Sequence, residues 1–566
     1  MNSTEQVPVW EPRDTVNECT VSLAEMFPDK ELFVFYHKGQ RDSYTALTLY
    51  TLAGRFADRL RRHGFQRQDV IANTLPNSPE RVITDLGIIL AGCITMNLQH
   101  LLVDGSDLYH TARKSGCKCV IMSDNEQCPT WQLLKPYIAG DTDNFITSIS
   151  IDHTPEMTSS IVVTRNRTGP RKPLLEDLTN SDEEVFVDKV SPSDLAVIFC
   201  TSGSTGYSKL VPRTHADTVN CLLMRDVAWY RKTYGQTVKI TMYSDRLLGW
   251  IGGFSFYSTV AAVTRVLKDS YTLDESTTSQ DFWDAVTNED CTFAIMAPLE
   301  VEKRITHITS SGGVFPKKLK YIIVIGQPNT KEQVKKMFLL SESVVVAYGS
   351  TEVSSIAGIT VQEDNYESFN CGKPSKGNML RVVGDQNGLC KPKEVGTIQV
   401  KGERVFSGYY NKLEHPDPDT LKAFTEDGWF NLEDCGYLDD EGNVFVLGRN
   451  KETITYGAAV VYPGWLEDQI SLHPDVILAC VVPVSDPVLF HNICACVKLS
   501  STSTVGVEEI KSFCDQRFLP NLVSAYTPRP AFYLIFKEDF PELKTGKPDR
   551  LTLKRLAEEQ FGYKKE

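Results

Sequence analysis

Residues 200–210 read Cys-Thr-Ser-Gly-Ser-Thr-Gly-Tyr-Ser-Lys-Leu. Every residue from Thr201 to Gly206 is hydroxylated or glycine, and Lys209 follows. The preceding run, Leu195-Ala-Val-Ile-Phe, is apolar and β-branched enough to be a buried strand. A strand that empties into such a loop offers backbone N–H groups, hydroxyls and one cation at a single point. That combination suits a polyphosphate. It is not a Walker A loop, because neither Gly206-Tyr-Ser-Lys nor Gly546-Lys547-Pro548 fits Gly-x-x-x-x-Gly-Lys-Ser/Thr. A Ser/Gly-rich stretch on its own is a surface loop more often than a site. Its company decides the matter.

A chain of 566 residues is too long for one hydrophobic core, so at least two domains are expected. Hydrophobic content of 41% and charged content of 23% place it among soluble globular proteins. A net charge of −14 argues against nucleic acid or an anionic membrane as the main partner. An anionic substrate must therefore be met by local cations. The 15 cysteines are dispersed, and the pairs Cys117/Cys119 and Cys494/Cys496 lie in apolar runs without histidines at zinc-site spacing. Reduced core thiols are expected, not zinc.

The N-terminus lacks an apolar signal region, so the sequons at Asn2 and Asn166 are expected to go unused. The apolar run from Val82 to Leu102 is broken by Asp85, Gly87, Gly92 and Asn97, which argues against a membrane span. The final Lys-Lys-Glu is not a Ser-Lys-Leu address, and a cytoplasmic location is expected.

Residues 44–64 have helical periodicity, with Leu47, Leu52, Phe56 and Leu60 on one face and Arg59, Arg61 and Arg62 on others. A strand at 69–72 follows, then Leu75-Pro-Asn-Ser-Pro-Glu, where Asn77 or Ser78 caps the next helix. A further strand at 116–122 completes an α/β pattern. Residues 150–190 read as a polar surface excursion. Leu319–Ile325 and Ser343–Ala347 are buried-strand candidates that feed Gly326-Gln-Pro-Asn and Tyr348-Gly-Ser-Thr-Glu. Ligands in open α/β sheets bind outside the carboxyl ends of strands, where both loops fall. From 390 the texture becomes β-rich, and beyond Arg449 helix and strand alternate in a compact α+β unit.

Three segments stand downstream of the opening loop in fixed order. They are Tyr348-Gly-Ser-Thr-Glu352, Gly428-Trp-Phe-Asn-Leu-Glu-Asp434-Cys-Gly-Tyr-Leu, and Pro541-Glu-Leu-Lys-Thr-Gly-Lys547-Pro-Asp-Arg550. With residues 200–210, these resemble the signature motifs of the adenylate-forming superfamily: acyl-CoA synthetases, aryl-CoA ligases, beetle-type luciferases and peptide-synthetase adenylation domains. The resemblance runs from about Tyr44 to the lysine motif near the C-terminus. It implies an α/β fold with a large N-terminal AMP-binding domain, residues 1–448, of layered α/β sheets plus a β subdomain. A small mobile α+β domain, residues 449–566, would carry the catalytic lysine, with the active site in the cleft between them. The sequence runs only a short way past Arg550, and no carrier-protein domain is expected.

The implied activity is ATP- and Mg²⁺-dependent ligation of a fatty or aryl acid to CoA through an acyl-adenylate. By resemblance, Thr201, Ser202, Gly203, Ser204, Thr205 and Gly206 cradle the β- and γ-phosphates with help from Lys209. Glu352 holds the metal, and its oxygen suits hard Mg²⁺. Tyr348, with Gly349 and Ser350, lies against adenine and Thr351 near the α-phosphate, while Gly326, Gln327 and Pro328 form the adenine wall. Asp434 accepts both ribose hydroxyls, Arg449 contacts ribose or phosphate, and Lys451 sits at the hinge. Lys547 orients the carboxylate and offsets the charge building at the α-phosphate. Trp250, Gly253 and Phe254 are acyl-pocket candidates, which core packing explains about as well. His215 reads as a structural helix-entry residue.

The chain departs from the family pattern at several points. Ser208 replaces the usual proline, Leu210 the usual glycine and Leu432-Glu433 the usual Thr-Gly. Glu433 adds a second negative charge beside Asp434. In the stretch Ile454–Pro463 implied to meet the CoA pantetheine, Ala458 stands where glycine is usual and Thr455 where some members have lysine. A luciferase-like monooxygenase shares every adenylation motif, and a non-catalytic nucleotide-binding relative is a further alternative.

Overall fold

The computed structural model describes residues 10–98, 105–139, 144–165, 172–201, 207–220, 239–244, 246–272, 278–310, 317–362, 365–384, 388–456, 459–486, 489–518, 529–543 and 547–562. Asn2, Leu102, Asn166, Ser202 to Gly206, Ala458 and Lys544 to Gly546, among the residues named above, lie outside the described set. The chain divides into two compact units. The first comprises Met1–Ile295, Thr351–Ser355 and Glu403–Phe424; the second comprises Met296–Ser350, Ile356–Gly402 and Thr425–Glu566.

The first unit is built on an eight-stranded sheet. Its strands run in the order Lys209–Thr214, Leu195–Thr201, Ile94–Asn97, Val70–Asn73, Cys119–Ser123, Ser159–Val163, Thr147–Ile149 and Ile138–Ala139. The five from Leu195–Thr201 to Ser159–Val163 are parallel to one another. Parallel strands are covered on both faces, so they read as unbroken apolar runs, as Ala196-Val-Ile-Phe does. The helices Ala46–Arg62 and Pro79–Leu90 cover this region. A methyl at Gly87 would stand 2.7 Å from Phe56 and 2.8 Å from the Ala53 carbonyl, so the glycine lets the two helices close up. Ser78 caps the second helix, accepting from Arg81 N at 3.2 Å. Asn77 instead reaches across the chain, as described below.

Three readings of this region change. Leu47 is exposed; the buried stripe is Leu49, Leu52, Phe56 and Leu60, whose spacing of three and four residues keeps one face, whereas Leu47 stands five residues before Leu52. Arg59, placed by periodicity away from the apolar face, is buried and ion-paired with Asp177 and Glu183, each at 2.6 Å. The expected surface excursion at 150–190 supplies the strand Ser159–Val163, most of it buried. Its tail is also held: Phe186 N bonds Gly54 O and Asp188 N bonds Leu90 O.

The second unit opens with the parallel pair Leu319–Ile325 and Ser341–Tyr348, followed by antiparallel Ala357–Val361 and Lys373–Pro374. A four-stranded antiparallel sheet follows: Asn378–Val383, Gly396–Gly402, Phe430–Leu438 and Val444–Arg449. Residues 454–561 form a further five-stranded sheet with the helices Pro463–Ile470, Val507–Arg517 and Arg550–Phe561. Two apolar clusters drawn from these residues alone fill it, one around Ile470, Val481 and Ile510, the other around Cys480, Cys494 and Leu553. Cys117, Cys119, Cys494 and Cys496 are all free thiols and fully buried. Among the described residues, no helix is long and apolar enough to cross a membrane.

Candidate active site

In the second unit the site is assembled at strand ends. Ile325 and Ala347 are neighbours in the parallel register, so Gly326 and Tyr348 leave the sheet side by side at carboxyl ends. Asp434 enters through a bulge. Thr397 pairs with Cys435 and Gln399 with Asn431, so residues 432–434 face the single residue 398. A bulge of this kind re-aims a side chain. Glu433, the extra charge noted in the sequence, is exposed there with φ 58°. Across the hairpin Asp434 pairs directly with Arg449, and Nε of the arginine meets Oδ1 at 3.0 Å. Arg449 also donates to Leu432 O at 2.9 Å. The Tyr348 hydroxyl donates to the other oxygen, Oδ2.

Asp434 is 6% exposed, and burial pushes its carboxyl above the usual carboxylate range against the pull of Arg449, Tyr348 and Lys547. The Tyr348 hydroxyl is pushed well above 10 by burial and by Asp434, so it remains a donor. Each carboxylate oxygen takes one protein donor, and an ionised carboxylate has about four acceptor sites, so both oxygens keep capacity for a further hydroxyl.

Lys547 belongs to the same group. It lies on a short hairpin closed by Leu543 N to Lys547 O at 2.8 Å and Asp549 N to Pro541 O at 2.7 Å. Asp549 then caps the helix Arg550–Phe561, accepting from Leu551 N and Thr552 N, both at 3.1 Å. Arg550 anchors the hairpin through Glu467, 2.8 Å away, and Val481 O at 3.0 Å. The end of the Lys547 side chain passes over Gly326: a methyl there would lie 3.5 Å from Cε and 3.8 Å from Nζ. Gly326 has φ +98°, open to glycine and strained for any other residue. Gln327 and Pro328 continue this loop half-buried, and Lys451 is exposed on the single turn Asn450–Glu452.

The first unit carries a second group. Lys209 opposes Thr201 in the antiparallel register of their two strands. Its ammonium stands 5.0 Å above the ring of Tyr409, whose hydroxyl donates to Glu352 Oε1 at 3.1 Å. Buried Arg213 donates to Thr351 O at 2.6 Å, and Phe406 N bonds Glu352 O at 2.9 Å. Tyr409 and Arg213 were not singled out by sequence. Tyr409 sits in an ordinary Ser-Gly-Tyr-Tyr-Asn stretch, and only the returning chain at 403–424 brings it beneath Lys209. Among the described residues, no cluster of three metal-ligating side chains occurs.

Gly349, Ser350 and Thr351 follow Tyr348, half-buried. Trp250, Gly253 and Phe254 lie on a stretch held by buried Arg265, which donates to the carbonyls of Ser244, Arg246 and Gly253. Asn77 joins them, bonding Arg246 O at 3.2 Å and accepting from Leu248 N at 2.8 Å. Phe254 is packed edge-on between Phe199 and Phe256, 4.9 and 4.6 Å away, and so has a core role in any case. His215 is buried, accepts from Val16 N at 3.3 Å, and is pushed down to about 4 by burial, a structural role.

Comparison with known proteins agrees with this architecture. The solved structure of ATP-bound MatB from Rhodopseudomonas palustris matches with a TM-score of 0.73 at 20% identity, over 96% of this chain and 99% of that one. The anthranilate CoA ligase AuaEII in complex with anthranoyl-AMP matches with a TM-score of 0.76 at 15% identity, over 99% of both. The fold is therefore that of adenylate-forming enzymes. A family model described as AMP-binding enzyme matches residues 22–410, and the chain belongs to that family. Among curated relatives, the mitochondrial medium-chain acyl-CoA ligase ACSF2 of Mus musculus is 24% identical over 568 residues, 97% of this chain and 88% of that protein. The 4-coumarate–CoA ligase 1 of Solanum tuberosum is 24% identical over 544 residues, 91% and 89%.

Proposed function

We propose that the chain is an ATP-dependent acid–CoA ligase. A carboxylate oxygen attacks the α-phosphorus of ATP and pyrophosphate leaves; the CoA thiolate then attacks the acyl carbon and AMP leaves. The observation that carries this reading is the Tyr348–Asp434–Arg449 group with Lys547 laid over Gly326. It combines an acceptor for two hydroxyls, an aromatic wall and two cations, the elements needed to hold a nucleoside and stabilise charge at its first phosphate.

In this reading Asp434 takes the ribose hydroxyls, Tyr348 with Gly349 and Ser350 and the Gly326-Gln327-Pro328 loop flank adenine, and Thr351 lies near the α-phosphate. Arg449 steadies Asp434 and contacts ribose or phosphate. Lys547 orients the acid and neutralises charge developing on the α-phosphate. Lys209, with residues 201–206, serves the outer phosphates. Glu352 would hold Mg²⁺, which supplies charge neutralisation on the phosphates. A single carboxylate fits an ion bound mainly through phosphate oxygens and water. Residues 1–448 and 449–566 act as adenylation and mobile domains, with Lys451 at the hinge. Trp250, Gly253 and Phe254 border the acyl group. A reducing, cytoplasmic setting is supported by the buried free thiols.

Acid-dependent exchange of labelled pyrophosphate into ATP tests the first step. Exchange with at least one fatty or aryl acid, followed by AMP release on adding CoA, is expected. Its absence across a broad panel of both acid classes would overturn the proposal.

A further inference from the structure

Ser208 stands where proline is usual in the family that the chain resembles, one residue before Lys209. Proline fixes its own backbone but has no N–H to donate. Here that N–H is in use: Ser208 N donates to Asp107 Oδ1 at 2.7 Å and Ser208 Oγ donates to Asp107 Oδ2 at 2.8 Å. Both residues are 2% exposed, so the two bonds are made away from water. Asp107 lies in the first turn of the helix Ser106–Ser115, where the helix end favours a negative charge. His110, one turn further on, stacks on Tyr207 with ring centroids 4.5 Å apart and planes 11° apart. The same helix is tied to the returning segment through Lys114 and Asp417, 2.7 Å apart, and Leu210 O accepts from Tyr410 N at 2.8 Å. The strand that begins at Lys209 is therefore anchored at its first residues by a helix remote in sequence.

We infer that Asp107 is a positioning residue for Lys209. Through the amide and hydroxyl of Ser208 it fixes the strand end that carries the phosphate-facing cation. The inference rests on the proposed function for the direction in which Lys209 acts. The carboxylate touches no part of the substrate; its effect passes through the backbone at 208.

The test is titration of the full chain with MgATP and, separately, with AMP, which lacks the outer phosphates. Ser208→Ala keeps the backbone bond and loses the hydroxyl bond, so MgATP affinity is expected to fall about 3- to 10-fold, as for one buried hydrogen bond. Ser208→Pro loses both bonds and leaves the Asp107 carboxylate facing a ring, with a fall of more than about 10-fold. AMP affinity should stay within about twofold in both variants. Asp107→Asn retains two bonds, the second reversed as Ser208 Oγ accepts from the amide, and should bind MgATP nearly as the unaltered protein does.

A parallel fall in MgATP and AMP affinity, or unchanged MgATP affinity in Ser208→Pro, would overturn the inference. A protein that lacks acid-dependent pyrophosphate exchange but shows the selective MgATP loss refutes the proposed ligase activity and leaves the positioning role standing. A protein that binds no MgATP at all overturns both.

Discussion

Asp434 and Glu352 are carboxylates that the same reading assigns to one nucleotide, and their surroundings differ. Asp434 is buried at a bulge and held by a guanidinium and a phenol, with Lys547 close enough to lower its proton affinity. Glu352 is half-buried at the end of a short loop, and Tyr409 supplies its hydrogen bond. A buried carboxylate without such partners would neutralise itself, so the group around Asp434 is fixed in advance by electrostatics. Glu352 keeps a wetter, more open oxygen, which is what an ion retaining several waters requires. The contrast separates a preorganised recognition group from a group suited to a hydrated ion.

The comparison is tested most sharply at Lys547. Lys547→Ala should reduce pyrophosphate exchange by about 10²- to 10³-fold, the loss typical of one donor aimed at developing charge. Its melting temperature should be unchanged, because the hairpin is held by Asp549 and Arg550. The same variant should raise the pH at which acidification weakens ATP binding, since the ammonium that holds the Asp434 pKa down is gone. A pH profile of ATP affinity in the two proteins reads this directly; coincident midpoints would detach Lys547 from Asp434.

A control for that profile comes from His215, which titrates for structural reasons. Its folded-state value of about 4 lies below the unfolded 6.5, so the unfolded chain binds more protons in this window. Stability is full above about 6.5 and should fall by about 3 kcal/mol as pH drops toward 4. Urea unfolding at pH 7 and pH 5 measures it, and His215→Gln should flatten the slope. An equal slope in the variant would assign the acid lability elsewhere.

Asp434→Asn and Glu352→Gln divide the two carboxylates. The first should weaken ATP binding about 10-fold and cost no more than about 1 kcal/mol, because Arg449 is 45% exposed and can hydrate once its partner is lost. The second should leave stability within about 0.5 kcal/mol and raise the Mg²⁺ concentration needed for half-maximal exchange. Identical Mg²⁺ requirements would remove Glu352 from the metal. The smallest effect is expected for Tyr409→Phe, which keeps the ring beneath Lys209 and deletes one hydroxyl bond. A two- to fivefold rise in the KM for MgATP is expected, and none would show the phenol to be incidental.

Much of this architecture is legible from pattern alone. The strand Leu319–Ile325 matches the apolar run that predicts it, because a buried strand must be apolar along most of its length. Ser78 as a cap and the helix entry at His215 are local events, fixed by side chains a few residues away. Leu47 and Arg59 escaped because Leu47 lies five residues, about 140° of helix, from Leu52 and so falls off the 49/52/56/60 stripe, and because an arginine is buried when carboxylates remote in sequence meet it. Within the site, the Asp434–Arg449 pair is a hairpin register and nearly readable, whereas Tyr409 beneath Lys209 and Asp107 behind Ser208 are not. The spacing between those residues, about 200 and 100 positions, carries no periodic signal.

The sequence by itself determined the class: four ordered motifs and the alternation of strand and helix, each a short-range pattern set by backbone geometry and by the residue types that phosphate, ribose and a carboxylate demand. Only the tertiary structure decided which donors serve which carboxylate, that Ser208 uses the N–H a proline would lack, and that Lys547 lies over Gly326. Those are contacts between segments far apart in the chain. They follow from packing and burial, which act on the folded surface and leave no local mark in the order of residues.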